Sequence, residues 1–239
     1  MGYQYSHIKF SLGYFAIPIL LFSLLLFYGS YLIQSDFFIK ALCNSKSQKK
    51  EIALSFDDGP VVSTNQVLDI LKKYNVPSAF FCVGKRMVEN PTILKRIHEE
   101  GHVIGNHSFS HHALFDLMSK RKMKEELRET NNIAKNTIGE NLKMFRPPYG
   151  VTTPILAKAI KEEGFETIGW SLRTYDTMFD DGQKLVNKII SQIKAGDIIL
   201  LHDSQKVTIN ALEDIIIKVR LNGYTFVRLD HLLNINAYA

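Results

Sequence analysis

Cysteine is scarce in this chain, and the scarcity excludes whole classes of protein. Only Cys43 and Cys82 occur in 239 residues, too few for a disulfide-built scaffold or a thiolate zinc site. No internal repeat and no low-complexity tract stands out, which sets aside solenoids and disordered tails. Charge of one sign is also missing from most of the chain. The formal net charge is +5, but residues 1–50 hold five lysines against one acid, Asp36, leaving 24 basic and 23 acidic side chains over the remaining 189 residues. So nearly neutral a body has no basic footprint for nucleic acid, and none is expected as a partner. What is present is an ordinary globular balance, 46% hydrophobic and 22% charged, in a chain long enough to bury a core.

One run stands apart. Phe10 to Ile33 contains no charged residue over 24 positions. As a helix it would be about 36 Å long, enough to cross a hydrocarbon core of about 30 Å with some tilt. Tyr14, Tyr28 and Tyr31 fall towards its ends, as interfacial aromatics do. A cleaved signal peptide is the competing reading, but its apolar stretch would be about 7–15 residues long and closed by an Ala-x-Ala-like site, and neither holds here. The start Met1-Gly2-Tyr3-Gln4-Tyr5-Ser6 fits a loose myristoylation pattern, redundant beside a spanning helix. Residues 1–33 therefore read as an N-terminal tail and transmembrane anchor, with residues 10–33 in the lipid bilayer. Residues 34–50 read as a polar linker and 51–239 as the main domain.

From residue 51 onward, strand and helix alternate. Short apolar runs at 52–56, 79–83, 103–106, 142–145, 167–170, 197–201 and 224–228 read as strands. Between them lie amphipathic helices over 65–74, 91–100, 118–137, 154–163, 183–194 and 209–221, several closed by a glycine such as Gly101, Gly139 or Gly164. The alternation predicts an α/β fold, a parallel sheet with helices outside. Seven units predict a (β/α) barrel with about seven parallel strands, one fewer than the standard eight. An open doubly wound sheet is the competing arrangement.

Residues able to do chemistry cluster just after predicted strands: Asp57-Asp58, His107 with His111, Arg146 with Tyr149, Asp176, and His202-Asp203. In α/β folds, sites assemble at the carboxyl ends of strands. Each cluster alone has an ordinary explanation; an Asp-Asp-Gly-Pro run, for instance, is a good turn. Their common position argues for one site. His107 and His111, at i and i+4, can face one point from a helical turn or a tight loop. Two imidazoles and a carboxylate from Asp57-Asp58 make a three-ligand site for zinc, with cobalt or nickel also suited, and leave room for water. The other aspartate stays free as a base. His112 diverges from its neighbour, and His98 and His102 read as structural.

These clusters carry a family resemblance. Leu54-Ser55-Phe56-Asp57-Asp58-Gly59-Pro60 resembles the first motif of the polysaccharide deacetylases, which share the NodB homology domain (carbohydrate esterase family 4). His107 to His111 resembles the second motif, Arg146-Pro147-Pro148-Tyr149 the third and Leu200-Leu201-His202 the fifth. Trp170 to Thr177 sits where the fourth belongs, but Arg173 holds its first aspartate position and Thr177 its tryptophan position, while Asp176 keeps the second aspartate. The resemblance covers about residues 50–230 and implies a distorted (β/α) barrel that removes N-acetyl groups from amino sugars of a glycan.

It also implies roles. Asp58, His107 and His111 would hold one divalent ion, and Asp57 would act as general base, kept ionised by Arg146. Tyr149 would stabilise the oxyanion through its N–H, and His202, oriented by Asp176, would protonate the leaving amine. Leu200 and Trp170 would wall the substrate pocket. Asn106-His107-Ser108 matches a glycosylation sequon, which the need for His107 inside the site discounts. The lysines after the apolar run favour a cytoplasmic domain by charge counting. The implied envelope glycan favours the outer face, and the outer face is the expectation. Alternatives are a deacylase or deformylase of a lipid-linked sugar or non-sugar amide, and a catalytically weak carbohydrate-binding protein. Retention of both Asp57 and His202 weighs against the last.

Overall fold

The computed structural model describes residues 13–239. The Met1–Ser6 start, Lys9 and positions 10–12 of the apolar run lie outside the described residues. The remainder of that run is α1 (Gly13–Tyr31), a helix whose side chains are almost all exposed. Its length and composition suffice to cross a membrane. The helix ends two residues before the predicted span does, because its last carbonyls find partners on the domain. The Thr152 amide donates to Ser30 O at 2.9 Å, and the Thr152 hydroxyl donates to Gly29 O at 3.1 Å. Ile33, expected in the span, is instead buried against the domain in a turn of 3-10 helix.

Eight parallel strands build the sheet: β1 (Glu51–Asp57), β2 (Ser78–Cys82), β3 (Val103–Asn106), β4 (Met144–Phe145), β5 (Glu166–Thr167), β6 (Leu172–Arg173), β7 (Ile198–His202) and β8 (Thr225–Phe226). Seven follow one another in the order β5-β4-β3-β2-β1-β7-β6, and β8 pairs with the start of β1 off this path. Helices cover the outside: α2 (Thr64–Tyr74), α3 (Gly84–Glu89), α4 (Pro91–Glu99), α5 (Lys120–Ile138), α6 (Pro154–Glu163), α7 (Gly182–Gln192), α8 (Lys206–Leu221) and α9 (Leu229–Leu233). β1 is central and buried from Ile52 to Phe56, which is why it reads as a continuous apolar run rather than an alternating one. α5 turns Met123, Leu127, Thr130 and Ala134 inward. Ser119 caps its start and Gly139, at φ +80°, ends it.

The sheet is a barrel that does not close on itself. β5 and β6 are its two edges, yet only residues 168–171 separate them in sequence. The strand predicted over 167–170 is therefore cut short: only Thr167 belongs to β5, and β6 begins beyond it at Leu172. Arg146 explains the early end, since its guanidinium donates to Gly169 O at 2.8 Å and Ile168 O at 3.4 Å, carbonyls that a ladder would otherwise use. The predicted linker fills the gap. Leu42 N donates to Thr167 O, Gly169 N donates to Leu42 O, and Ser45 N donates to Gly196 O, each within 3.0 Å. Ala41 and Cys43 point inward and are buried. Residues 41–45 thus form a strap across the seam rather than a free tether.

Candidate active site

Five strand ends meet at the carboxyl end of the barrel. Successive strand residues face opposite sides, yet Asp57 and Asp58 both line one cavity. Asp58 achieves this at φ +74°, a left-handed conformation that aspartate tolerates better than most residues. Gly59 is obligatory behind it: a Cβ there would lie 2.1 Å from Asp203 Oδ2.

His107 follows β3 directly. Its Nδ1 lies 2.7 Å from Arg146 O, a pure acceptor, so Nδ1 carries a proton and Nε2 is the nitrogen turned to the cavity. That Nε2 is 3.7 Å from Asp58 Oδ1, and His111 Nε2 is 3.3 Å from the same oxygen. The three donor atoms lie within 4.8 Å of one another. The histidines sit on a tight loop, not a helical turn. Ser108 and His111 both have positive φ, the Ser108 amide bonds Asn106 Oδ1, and the His111 amide bonds Ser108 Oγ. Burial, then the neighbouring His107, pulls the His111 pKa down to about 4, leaving a neutral imidazole. Burial would raise the Asp58 pKa, but His107, His111 and His202 outweigh it and the carboxyl is held low. Two imidazoles and a carboxylate suit a divalent ion such as zinc.

Arg146 is wholly buried and approaches Asp57 from behind. Its Nη1 donates to Asp57 Oδ1 at 2.7 Å and to Ser55 Oγ at 2.9 Å, and its Cζ lies over the Phe81 ring, 4.0 Å from the centroid. Asp57 Oδ2 is left to face the donor cluster, 3.9 Å from His107 Nε2. Across the cavity, His202 ends β7. Its Nδ1 is 2.8 Å from Asp176 Oδ1, and its amide donates to Asp176 Oδ2 at 2.7 Å. Burial would lower the His202 pKa, but the bond to and charge of Asp176 raise it to about 9, so the imidazolium persists at neutral pH. A buried cation–carboxylate pair of this kind fixes both ring orientation and charge.

The structure brings eight of the ten predicted residues to the cavity wall: Asp57, Asp58, His107, His111, Tyr149, Trp170, Leu200 and His202. Arg146 and Asp176 stand one layer behind, each bonded to one of them. The cavity is about 260 Å³. Tyr149, at φ +58°, is half exposed and its ring lies 4.8 Å from that of His111. Gly150 has no room for a Cβ, which would lie 2.4 Å from Trp170. A larger cavity of about 660 Å³ opens at the amino end of the barrel near His102 and Arg228 and holds none of these groups.

Sequence reasoning missed the supporting residues. Glu126, buried on α5, accepts from the amides of Phe109 and Ser110 and from Ser110 Oγ, and so fixes the histidine loop. Thr208 donates to Asp176 Oδ2 at 2.6 Å. Asp203 is buried and accepts from Thr64 Oγ1, and burial raises its pKa to about 7. Glu126 and Thr208 follow no strand within the recognised motifs, whereas Asp203 already stands out in the sequence beside His202. His102, with a ring nitrogen 3.2 Å from the Ser78 amide, is structural. His112 is exposed and bonds the Leu114 amide. Asn106 is fully buried and donates to Leu127 O, so its sequon is closed to glycosylation.

The sequence profile described as polysaccharide deacetylase matches residues 44–168. A peptidoglycan-N-acetylglucosamine deacetylase of Bacillus cereus is 35% identical over 193 residues, covering 78% of this chain and 90% of that relative. A peptidoglycan-N-acetylglucosamine deacetylase of Listeria monocytogenes is 36% identical over 184 residues, and the match spans 77% of this chain but only 39% of that longer relative. Among solved structures, a peptidoglycan N-acetylglucosamine deacetylase in complex with 4-naphthalen-1-yl-N-oxidanyl-benzamide superposes with a TM-score of 0.79 at 31% identity, covering 82% of this chain and 94% of that one.

Proposed function

Because the chain belongs to the polysaccharide deacetylase family, we propose that it hydrolyses N-acetyl groups from amino sugars of an envelope glycan. The relatives' names point to peptidoglycan; chitin-like or exported polysaccharides present the same acetamido group. One observation carries the reading: a carboxylate, Asp57, and an imidazolium, His202, flank the Asp58–His107–His111 donor cluster in one cavity.

Asp58, His107 and His111 would hold a divalent ion, zinc by the chemistry of its donors, with cobalt or nickel also accommodated. When bound, such an ion supplies Lewis acidity and lowers the pKa of nearby water. Asp57 takes a proton from the attacking water through Oδ2, while Arg146 occupies Oδ1 and fixes the carboxylate. The water oxygen bonds to the acyl carbon, and the oxyanion that forms is met by the Tyr149 N–H, which makes no bond to another described residue. His202 passes its proton to the sugar nitrogen as the carbon–nitrogen bond breaks, and Asp176 holds the ring in place. The products are acetate and a free amine. Leu200 walls the acyl methyl and Trp170 the sugar.

Residues 51–239, with the strap, form the catalytic domain. α1 presents Leu, Ile and Phe side chains to the outside along its length. Leaving each such side chain in water forgoes about 1.5–3 kcal/mol, so a bilayer is the environment that suits it. We place the domain on the outer membrane face, where an envelope glycan lies, against the lysine bias after the helix. Two assays test the proposal. Zinc-loaded protein given peptidoglycan and chitin oligomers should release acetate and free amine in equal amounts, and chelator should abolish both. Protease added to intact cells or spheroplasts should cleave the domain; full protection in spheroplasts would put it in the cytoplasm.

A further inference from the structure

The end of α1 is bonded to the rim of the catalytic cavity. Its Gly29 and Ser30 carbonyls accept from Thr152, and Gly150, two residues before Thr152, lines the cavity. Two residues of chain span at most about 7 Å. Just beyond the helix, Gln34 Nε2 donates to Trp170 O at 2.8 Å, and Trp170 is another cavity wall. Tyr28 and Tyr31, both exposed, flank the same turn of α1. Such aromatics sit where hydrocarbon meets the polar headgroups, so that boundary falls beside the cavity mouth.

The domain has no slack with which to leave it. As a free tether, residues 34–50 would reach about 55–60 Å from the bilayer. As a strap they hold the domain close: Ile33, Ile39, Ala41 and Cys43 are buried, and Asp36 Oδ1 accepts from the Ala41 amide at 2.9 Å. The rim itself is apolar. Ten large hydrophobic side chains are exposed among residues 51–239, and seven of them follow the carboxyl ends of β1, β3, β4 and β6, where the cavity opens. Leu114 and Leu117 follow β3, and Met178 follows β6, four places away in the sheet order, so they stand on opposing sides of the mouth. Leu117 is 73% exposed and Met178 78%. An apolar rim of this kind marks a contact surface. Its occupant is lipid, because the helix bonded to it carries the bilayer to the same level.

We infer that the carboxyl-end rim of the barrel rests on the bilayer surface, and that the cavity takes acetamido sugars carried on a membrane lipid. The inference rests on the anchor and deacetylase readings above and narrows the envelope glycan to its lipid-linked form. A cavity held at headgroup level does not reach polymer farther from the membrane.

The full chain, zinc-loaded in nanodiscs of phosphatidylethanolamine and phosphatidylglycerol, tests both halves. Cys43 and Cys82 are buried, so a nitroxide can be directed to Leu117→Cys or Met178→Cys, with Leu221→Cys at the far end of α8 as the water reference. Labels at 117 and 178 should collide more with oxygen, which dissolves in lipid, than with a water-soluble nickel chelate, and the label at 221 should do the reverse. Water-like labels at both rim positions would overturn the docking. Turnover is then compared for a chitin oligomer joined to a phospholipid in the same disc and for the free oligomer. The lipid-linked probe should be favoured in kcat/KM by about tenfold or more, through its raised local concentration. Leu117→Asp combined with Met178→Asp should bring that ratio towards one while kcat/KM for the free oligomer stays unchanged. A wild-type ratio near one, or a ratio unmoved by the double substitution, would overturn the substrate assignment. No acetate from either probe, with both rim labels in lipid, would overturn the deacetylase reading and uphold the docking. A chain that stays out of the disc would overturn the anchor reading and the inference with it.

Discussion

Asp57 and His202 are register partners on the last rung of the β1–β7 ladder. Neighbouring parallel strands lie about 4.8 Å apart, so the proposed base and acid start from adjacent backbones and rise on the same face. Each is secured by its own buried partner, Arg146 for Asp57 and Asp176 for His202. A single hydrogen-bonded rung therefore sets the separation between the group that takes a proton and the group that gives one.

Replacing Asp57 by Asn should leave metal content near one equivalent while lowering kcat by about 10²–10⁴-fold, the usual contribution of a general base. His107→Ala should lose metal and activity together. Metal analysis beside steady-state kinetics separates the two. An Asp57→Asn protein with near wild-type kcat would remove Asp57 from the base role.

His202 governs the alkaline side of the pH profile. Its pKa is raised to about 9, so the proton-donating form is full below the ordinary histidine value of about 6.5 and lost as pH rises through about 9. Activity should fall over that upper range, and the stability contributed by the pair fades over the same window. Asp176→Asn keeps an acceptor for the ring but removes the charge, and should draw the alkaline limb of kcat towards neutral pH. Superimposable profiles for the two proteins would contradict this.

Glu126 should act on the metal without touching it. It ties the amides of Phe109 and Ser110, the middle of the loop between the two histidines. Glu126→Ala should weaken zinc binding by roughly 10–100-fold, the range seen when outer partners of ligands are lost. Competition against a chromophoric chelator measures it, and unchanged affinity would assign Glu126 to stability alone.

The strap predicts a limit to truncation. A chain beginning at residue 38 keeps Ile39, Ala41 and Cys43 in their buried positions, whereas one beginning at 46 loses the bridges to Ile168 and Asp197 and opens the seam between β5 and β6. Loss of about 2–3 kcal/mol of burial and hydrogen bonding would lower Tm by roughly 5–10 °C for a domain of this size. Equal melting of the two chains would show that the seam is held without the strap.

Much of this was legible in residue order. Strand–helix alternation from residue 51 declared a parallel α/β barrel, because buried parallel strands must be short apolar runs and their crossovers must be helices. Asp57, Asp58, His107, His111, Arg146, Asp176 and His202 stood out because each follows a strand, and such a topology gathers strand ends. Residues that act through long-range contact carried no such mark. Glu126 is one acid among several on a charged helix, and only the docking of α5 on the histidine loop sets it apart. Thr208 is likewise one polar residue on α8 until the packing of that helix brings it to Asp176. The segment 34–50 reads as a linker because it is polar and lacks periodicity; it becomes a strap because Arg146 captures the carbonyls of Ile168 and Gly169 and leaves a seam with unpaired edges. Local pattern fixes which residues can do chemistry and which elements carry them, since both depend on neighbours in sequence. Which buried groups orient them depends on residues brought together from distant parts of the chain, and only the folded barrel decides that.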